Sequence, residues 1–367
     1  MPSAMRDATR DATRGSISGV RLKAQVGVSC PTATRMWLLF LLAFLCVAQS
    51  AISDSGASIY IALSALAASL LAEILATRGA HGLAKVSDGS AAASAMVLAL
   101  MLPDMIHPAQ AAAAAFFATA LAKHAFGGLG ATWLNPAVGG WLFARFSWPQ
   151  AFYQAAEATR EGALALQSGA ALQSSAALQS SAMDQTISGF LNGAIFSPLG
   201  AELPSGYVDL FWTSAPGILA DRSILAFVLL IATLFAFRAS RMGASLAYIA
   251  VFALLTRLVG GLPSGAGVWE GDALLGLLSG GTLLAAFVLI AEPSSGAGTP
   301  KGALALAAFA ASLGFFFRYF GGELYGAFFA VAFANALAPL LRRLEGFLRS
   351  ARAAREDPLA AGKGGES

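Results

Sequence analysis

Charged residues are scarce in this chain. Asp, Glu, Lys and Arg make up 12% of its 367 residues, whereas a soluble domain carries roughly a quarter. Hydrophobic residues make up 57%, and the mean hydropathy is +0.68. These values exclude an ordinary soluble domain and predict an integral protein of a lipid bilayer. The net charge of +3 is small, so we expect no nucleic-acid partner.

Cysteine and histidine are also rare. Cys30 and Cys46 are too few for a disulfide framework or an iron–sulfur ligand set. The three histidines do not follow the spacing of metal ligands. No phosphate-binding glycine loop, zinc signature or nucleophile–base–acid triad is visible. The residues therefore predict neither a metal centre nor a hydrolytic active site.

Long apolar runs dominate the sequence instead. A helix needs about 17–25 apolar residues to cross a bilayer. Ten stretches approach this length, some of them short or interrupted: 36–52, 57–77, 90–106, 109–125, 133–147, 223–238, 243–260, 272–291, 302–318 and 323–341. We therefore predict an all-α polytopic membrane protein with about ten transmembrane helices.

Basic residues concentrate at the two ends of the chain, in an arm at 1–35 and a tail at 342–367. An even number of helices places both ends on one side, and the positive-inside rule makes that side the cytoplasm. We expect a bacterial inner-membrane protein with both termini cytoplasmic. Between the ends we predict a first membrane repeat at 36–147, an extracytoplasmic loop at 148–222 and a second membrane repeat at 223–341.

The two halves of the chain echo each other. They share, in the same order, a proline motif (Leu102-Pro103 and Glu292-Pro293), a Phe-Gly-Gly motif (126–128 and 320–322) and a later Asn and Pro (Asn135-Pro136, and Asn335 with Pro339). Five predicted helices per half would invert the second copy, and inverted repeats build sites from broken helices at their interface. We predict two inverted-topology repeats; the alternative is that such motifs simply recur at helix ends.

A glycine-rich run between the fourth and fifth apolar stretches indicates a site. It contains Gly127, Gly128 and Gly130 and ends at Asn135-Pro136. A lipid-facing helix tolerates such residues poorly, because freed backbone groups cannot reach water. Broken backbone is accepted where it is buried in protein or lines a cavity. Lys123, at the start of the run, is either a snorkelling anchor or an anion contact.

Ionisable residues in or beside apolar runs are also functional candidates. Glu73 lies near the end of the second run, and Asp88 precedes Gly89-Ser90 at the start of the third. Asp88 is either a helix N-cap or an ion contact, and both roles are compatible. These residues indicate a central site made of broken helices, but they do not identify its ligand.

Several segments resemble the NqrB/RnfD family, the flavin-carrying membrane subunits of the Na⁺-pumping NADH:quinone reductase and of the Rnf complex. The matching segments are Ser87–Ser90, Leu98–Pro103, Lys123–Gly130, Asn135–Ala137, Phe146–Pro149, Gly280–Thr282 and Ala291–Ser295. The resemblance spans about residues 30–342, and the chain length favours the shorter RnfD over the longer NqrB.

The resemblance implies FMN joined by a phosphoester to the threonine of a Ser-Gly-Ala-Thr motif, through a flavin transferase. Ala158-Thr159 and the following Leu164–Leu166 occupy that place, with Ala156-Glu157 instead of Ser-Gly. Thr159 is therefore the expected flavin-bearing residue, and Thr186 is a weaker alternative. The plainer interpretation of Thr159 is an ordinary polar residue in a helical loop.

The resemblance further implies an electron relay coupled to the movement of Na⁺ or H⁺, with other membrane and peripheral subunits as partners. Asp88 and Glu73 would contact the ion. The expected cofactor contacts are Thr159, Lys123, Gly127, Gly128, Gly130 and Asn135. A second flavin such as riboflavin could occupy the broken-helix core. The alternatives are a urea-channel-like solute transporter and a scaffold subunit without flavin.

Overall fold

The computed structural model of the protein is helical wherever it shows regular structure. It describes residues 31–53, 56–77, 87–125, 132, 134–168, 182–196, 217–237, 241–265, 267–293 and 296–356. No β-strand occurs in these ranges, where an isolated bridge joins Pro103 to Ile218. The predicted all-α class is confirmed.

The first half and the region after it contain seven helices in the described ranges. They are α1 (Thr32–Ser53), α2 (Ala57–Thr77), α3 (Ser90–Met101), α4 (Pro108–Phe117, continued by a π-helical turn at Ala118–His124), α5 (Pro136–Ser147), α6 (Pro149–Ser168) and α7 (Ala182–Leu191, continued by a π-helical turn at Asn192–Phe196).

The second half contains six helices in the described ranges. They are α8 (Ile224–Ala236), α9 (Met242–Val259), α10 (Ala273–Leu278), α11 (Thr282–Leu284, continued by a π-helical turn at Ala285–Leu289), α12 (Pro300–Tyr319) and α13 (Gly326–Glu356). A short 3₁₀ turn at Leu262–Ser264 follows α9.

All ten predicted spanning segments coincide with helices, although not all are long. Five helices are long and apolar enough to cross a bilayer: Thr32–Ile52, Ala57–Thr77, Met242–Val259, Pro300–Tyr319 and Gly326–Ser350. The predicted segment 90–106 ends early, at Met101, before Pro103. The predicted segment 272–291 is broken at Ser279–Gly281 into α10 and α11.

Three helices begin with the same local chemistry, a polar N-cap followed by proline. His107, Asn135 and Thr299 each accept a hydrogen bond from a backbone N–H of the first turn of α4, α5 and α12, respectively. The proline that follows each cap has its backbone angle preset for a helix and lacks an N–H that would need a partner. The asparagine-proline motif at the end of the glycine-rich run therefore starts α5.

Packing repeats between the two halves. Helix α2 packs along α4, and α9 packs along α12 in the same way. Gly89 and Gly281 precede α3 and α11, with φ angles of 72° and 69°. The Asn335 part of the sequence echo is wrong, because Asn135 caps α5 whereas Asn335 lies inside α13. The reason is that α13 begins at Gly326, soon after Gly321-Gly322, with no equivalent of the asparagine cap.

The end of the predicted extracytoplasmic loop packs inside the protein. Ile218, Leu219 and Ala220 are buried. The N–H of Leu219 donates to the carbonyl of Leu102 at 3.2 Å, and that of Ala220 donates to Leu100 at 3.0 Å. This segment, 217–222, therefore lies beside the C-terminal end of α3.

The break between α10 and α11 is held from both sides. Asp221 accepts hydrogen bonds from the N–H groups of Gly280 and Gly281, at 2.8 and 3.0 Å. Arg318 of α12 donates to the carbonyls of Gly276 and Ser279, both at 2.8 Å. The N–H groups of Gly280 and Gly281 and the carbonyls of Gly276 and Ser279, which the break leaves without helical partners, are thus hydrogen-bonded, as broken helices at membrane depth require.

Three ion pairs among the described residues join the halves: Arg145–Glu323 at 2.7 Å and two others that form a reciprocal pattern. Arg222, just before α8, lies 2.5 Å from Asp104, which follows α3. Arg35, at the start of α1, lies 3.9 Å from Glu292, which follows the π-helical turn of α11. In each case the arginine precedes or opens the first helix of one half, and the carboxylate lies at or just beyond the end of the third predicted membrane segment of the other half (90–106 or 272–291).

Candidate functional site

Three ionisable side chains meet inside the first half, between α2 and α4. The ammonium of Lys123 donates to Glu73 Oε2 at 2.7 Å, and His124 Nε2 lies 2.8 Å from the same oxygen. The Glu73 side chain is 1% exposed and that of Lys123 4%. The carboxylate is therefore compensated by an ammonium and an imidazole, which is how charged groups persist in a membrane interior.

Asp88 belongs to the same cluster through Ser90. Ser90 Oγ lies 2.8 Å from the Lys123 ammonium, and the N–H of Ser90 donates to Asp88 Oδ1 at 2.8 Å. Asp88 is not the N-cap of α3, which is Gly89, but from the preceding position its carboxylate accepts from the first N–H of α3. The structure thus brings together three residues that the sequence singled out separately: Glu73, Asp88 and Lys123.

Lys123 does not snorkel towards the membrane surface. Its side chain points into the protein, where the anion that it contacts is Glu73. The glycines expected to flank it, Gly127, Gly128 and Gly130, lie outside the described residues. An apolar cavity of about 530 Å³ borders both ends of that run, with Ala125 on one side and Leu134 on the other.

Buried hydroxyls that were not predicted from the sequence extend the cluster along α2. Ser69 Oγ lies 2.6 Å from Thr119 Oγ1 and donates to the carbonyl of Ala91. Ser69 and Glu73 are four residues apart and therefore share a face of α2. Ser64, nine residues before Glu73, lies on the opposite face of α2, where it is half-buried and donates to the carbonyl of Pro108 at 2.8 Å. The four-residue spacing of Ser69 and Glu73 was a readable signal.

Asn135 lies at a different place from Lys123's cluster. Its Oδ1 accepts from the N–H of Ala137 at 2.9 Å, and its Nδ2 donates to Glu292 of the second half. Glu292 in turn faces Arg35. Asn135 therefore starts α5 and ties it to the other half, and its described contacts do not include Thr159 or Lys123.

Thr159 lies on α6 and is closed off. The residue is 8% exposed, and its hydroxyl donates to the carbonyl of Ala155 at 2.8 Å. Gly217 packs directly over it: a Cβ on Gly217 would lie 2.7 Å from Thr159 Oγ1, 3.7 Å from Tyr325 Oη and 3.8 Å from Asp221 Oδ2. Arg160, the next residue of α6, donates to the Gly322 carbonyl and so ties α6 to the segment that precedes α13.

In this packing Gly217 covers the Thr159 hydroxyl, and the space between them is too small for a methyl group. An FMN phosphoester at Thr159 therefore requires Gly217 to move. Thr186, the alternative threonine, is exposed on α7. Glu157, which replaces the family's glycine, is exposed and 3.9 Å from Arg160. Thr159 therefore matches the family motif but is covered, whereas Thr186 is accessible but lacks the motif.

The described ranges contain no group of three or more His, Cys, Asp or Glu side chains able to hold a metal ion. The ionisable groups that do converge are ion-paired or hydrogen-bonded within the protein. The chemistry that this arrangement supports is the exchange of a proton or cation at a compensated carboxylate.

Comparison with known proteins gives the chain's relatives. Residues 22–346 match the sequence model of the NQR2, RnfD, RnfE family. The chain is 26% identical over 256 residues (70% of this chain, 72% of the relative) to the D subunit of the proton-translocating ferredoxin:NAD(+) oxidoreductase complex of Clostridium ljungdahlii. It is 27% identical over 311 residues (80% and 88%) to the D subunit of the ion-translocating oxidoreductase complex of Vibrio cholerae.

The equivalent protein of Pseudomonas aeruginosa, which has the same name as that of Vibrio cholerae, is 30% identical over 268 residues, covering 70% of this chain and 73% of that protein. The family match over residues 22–346 extends through both membrane halves, the glycine-rich run and the reciprocal ion pairs. The resemblance inferred from the motifs is confirmed, and this protein belongs to the NQR2, RnfD, RnfE family.

Proposed function

We propose that this chain is the RnfD-type membrane component of an Rnf-like complex, relaying electrons between a ferredoxin or flavodoxin and NAD while Na⁺ or H⁺ crosses the bacterial inner membrane. The family match across both halves and the names of the relatives support a membrane subunit of such a complex. Other membrane and peripheral subunits would then supply the terminal electron donor and acceptor.

The observation that carries the ion-coupling part is the Glu73–Lys123–His124 cluster. A carboxylate buried at membrane depth is expensive to keep, and such residues mark ion and proton routes. The Lys123 ammonium already fills the cation position beside Glu73. An ion passing this point must therefore displace Lys123, or a proton must exchange with His124, whose side chain is the most exposed of the three.

The hydroxyl groups of Ser69 and Thr119 continue this polar line along α2. Ser69 and Glu73 are four positions apart, which corresponds to about 6 Å along a helix. Asp88 ends the line beside Ser90. We propose Glu73 and Asp88 as contacts on the ion route, with the hydroxyls as its continuation into the protein.

We also propose FMN as the covalent cofactor, attached at Thr159, on the strength of the Ala158-Thr159 and Leu164–Leu166 match to the family motif. A bound flavin supplies one-electron chemistry, which the protein would position and tune. Attachment requires Gly217 to move away from the hydroxyl, because the two are packed together. The family's transferase, which reads the motif, is a further proposed partner; a second flavin such as riboflavin remains a prediction.

The decisive test of the cofactor is flavin fluorescence of the denatured chain on a gel, after expression with its flavin transferase. We expect a fluorescent band that Thr159→Ala abolishes and Thr159→Ser retains. Thr186→Ala is the matched control, since it removes the exposed threonine and leaves the motif intact. Fluorescence lost in Thr186→Ala alone would move the attachment site to α7.

The same preparation separates the alternative functions. A chain without covalent flavin that conducts urea into liposomes would establish the channel alternative and overturn the relay. A chain without flavin that still assembles with partner subunits, in a complex that transfers electrons, would make this protein a scaffold subunit.

A further inference from the structure

Three arginines from separate elements meet near the start of α1. Arg35 opens α1, Arg241 precedes α9 and Arg342 lies on α13. Arg241 Nη1 donates to the carbonyl of Ala297 at 2.8 Å, and Arg342 Nε donates to that of Gly296 at 2.7 Å. Neighbouring carbonyls of one loop thus hold two of the guanidinium groups side by side.

The acidic residues nearby do not balance this charge. Among the described residues, Glu345 and Glu292 are the carboxylates beside the cluster: Glu345 accepts from Thr299 Oγ1 at 2.5 Å, and Glu292 accepts from Asn135. Burial, and then the positive charges of Arg342 and Arg35, lower the pKa of Arg241, with Glu345 opposing the shift. The excess positive charge of the three arginines therefore favours the binding of an anion.

Arg35 is the most informative member. Its side chain is 10% exposed, and its ionic contact in the described ranges is with Glu292 at 3.9 Å, too long for a hydrogen bond. A guanidinium so buried normally makes several close hydrogen bonds, because its five N–H donors cannot reach water. Arg35 thus retains donor capacity that a ligand anion could use.

An apolar groove runs from Arg35 between α1, α8 and the π-helical turn of α11. The groove is shallow and open at the protein surface, with an enclosed volume of about 30 Å³, and Arg35 and Glu292 are its charged lining residues. The apolar lining residues are Met36, Leu39, Leu234, Phe287, Val288 and Ala291. One site thus combines a cationic end with a hydrocarbon wall.

We infer that this groove binds an anionic phospholipid, with its phosphate at Arg35, where Arg241 adds positive charge from outside the groove, and with an acyl chain along Leu39, Leu234 and Phe287. Basic pockets between transmembrane helices bind the head groups of anionic lipids in this manner. A free phosphate would use the arginines alone, whereas the apolar wall continuing from Arg35 matches the acyl chain. The inference does not depend on the proposed redox function.

The test is lipid retention by the full-length chain in detergent, measured by native mass spectrometry with phosphatidylglycerol and phosphatidylcholine supplied in equal amounts. We expect phosphatidylglycerol to be retained preferentially. Arg35→Gln and Arg241→Gln should each weaken its retention on the order of fivefold, the factor that corresponds to about 1 kcal/mol per basic residue. Arg35→Lys should weaken retention less, because it keeps the charge.

Arg343→Gln is the matched control, since Arg343 lies on α13 next to Arg342 and outside the groove. It removes the same charge and should leave retention unchanged. Equal retention of both lipids by the wild-type chain would overturn the inference, and so would displacement of phosphatidylglycerol by inorganic phosphate. An equal loss in Arg343→Gln and Arg35→Gln would also overturn it, because it would indicate a general effect of surface charge. The comparison of the two lipids on the wild-type chain tests the inference even if a variant fails to fold.

Discussion

Lys123 is the side chain on which the candidate ion site depends most. It is the closest described cation to Glu73, at 2.7 Å, and it also contacts Ser90. A buried ion pair is a weak source of net stability, because desolvation offsets the attraction between the charges. Removing one partner is nevertheless severe, since the other charge is left uncompensated.

Lys123→Met should therefore destabilise the protein by about 3–5 kcal/mol. The loss is measured as a lower unfolding temperature in detergent. Adding Glu73→Gln to this variant should restore most of the stability, because the unpaired charge is then absent. Lys301→Met, at an exposed position of α12, is the control and should stay within about 0.5 kcal/mol of wild type. A double variant no more stable than Lys123→Met would contradict the ion-pair account.

The charged residues of this site were predictable from the sequence, but their arrangement was not. Glu73 and Asp88 stood out because ionisable residues are rare in apolar runs. Their meeting with Lys123 depends on the packing of α2 against α4, which no local pattern specifies. Ser69 and Thr119 were missed because single hydroxyls are ordinary in membrane helices. The burial of Thr159 could not be predicted either, since Gly217, which covers it, is remote in sequence.

At the scale of elements, the break between α10 and α11 is the most constrained feature. Gly281 has a φ angle of 69°, and a Cβ there would overlap the ring of Phe328 and lie 2.9 Å from Ile218 Cδ1. The break is thus packed against α13 and the 217–222 segment as well as hydrogen-bonded to Asp221 and Arg318. A single predicted helix at 272–291 missed this, although Gly280-Gly281 marked the place in the sequence.

Gly281→Ala should destabilise the protein by roughly 2–4 kcal/mol, from the left-handed backbone and the overlap with Phe328. Gly189→Ala is the control, because a methyl group there would meet nothing within 4 Å on α7. That control should be neutral or stabilising by up to about 1 kcal/mol. The measurement is the thermal unfolding temperature of the two variants in the same detergent. Equal unfolding temperatures would show that the break is not tightly packed.

At the scale of the whole molecule, the pairs Arg222–Asp104 and Arg35–Glu292 join the two halves in the way that the predicted inverted repeats would. Ten helical regions and their order were predictable from apolar runs, whereas the inverted repeat stays a prediction. The burial of the segment 217–222 was not predictable, because its apolar run is short and resembles the end of a loop. The orientation in the membrane is a prediction from the distribution of basic residues.

Cysteine labelling tests this orientation. In a Cys30→Ser/Cys46→Ser background, Ser350→Cys near the end of α13 should resist a membrane-impermeant maleimide in intact cells. Gly193→Cys, in the segment predicted to lie outside, should react under the same conditions. Both positions are exposed, so access within the fold is matched. The reverse labelling pattern would place both termini outside.

The most direct test of the central claim is redox-driven ion uptake by inverted membrane vesicles that contain the complete complex. Reduced ferredoxin and NAD⁺ start electron transfer, and Na⁺ uptake and internal pH are followed together. We predict uptake in wild-type vesicles, none without this chain, and strongly reduced uptake with the Glu73→Gln/Lys123→Met double variant, which leaves no buried charge unpaired and should assemble. Undiminished ion uptake in vesicles lacking the chain would contradict the account.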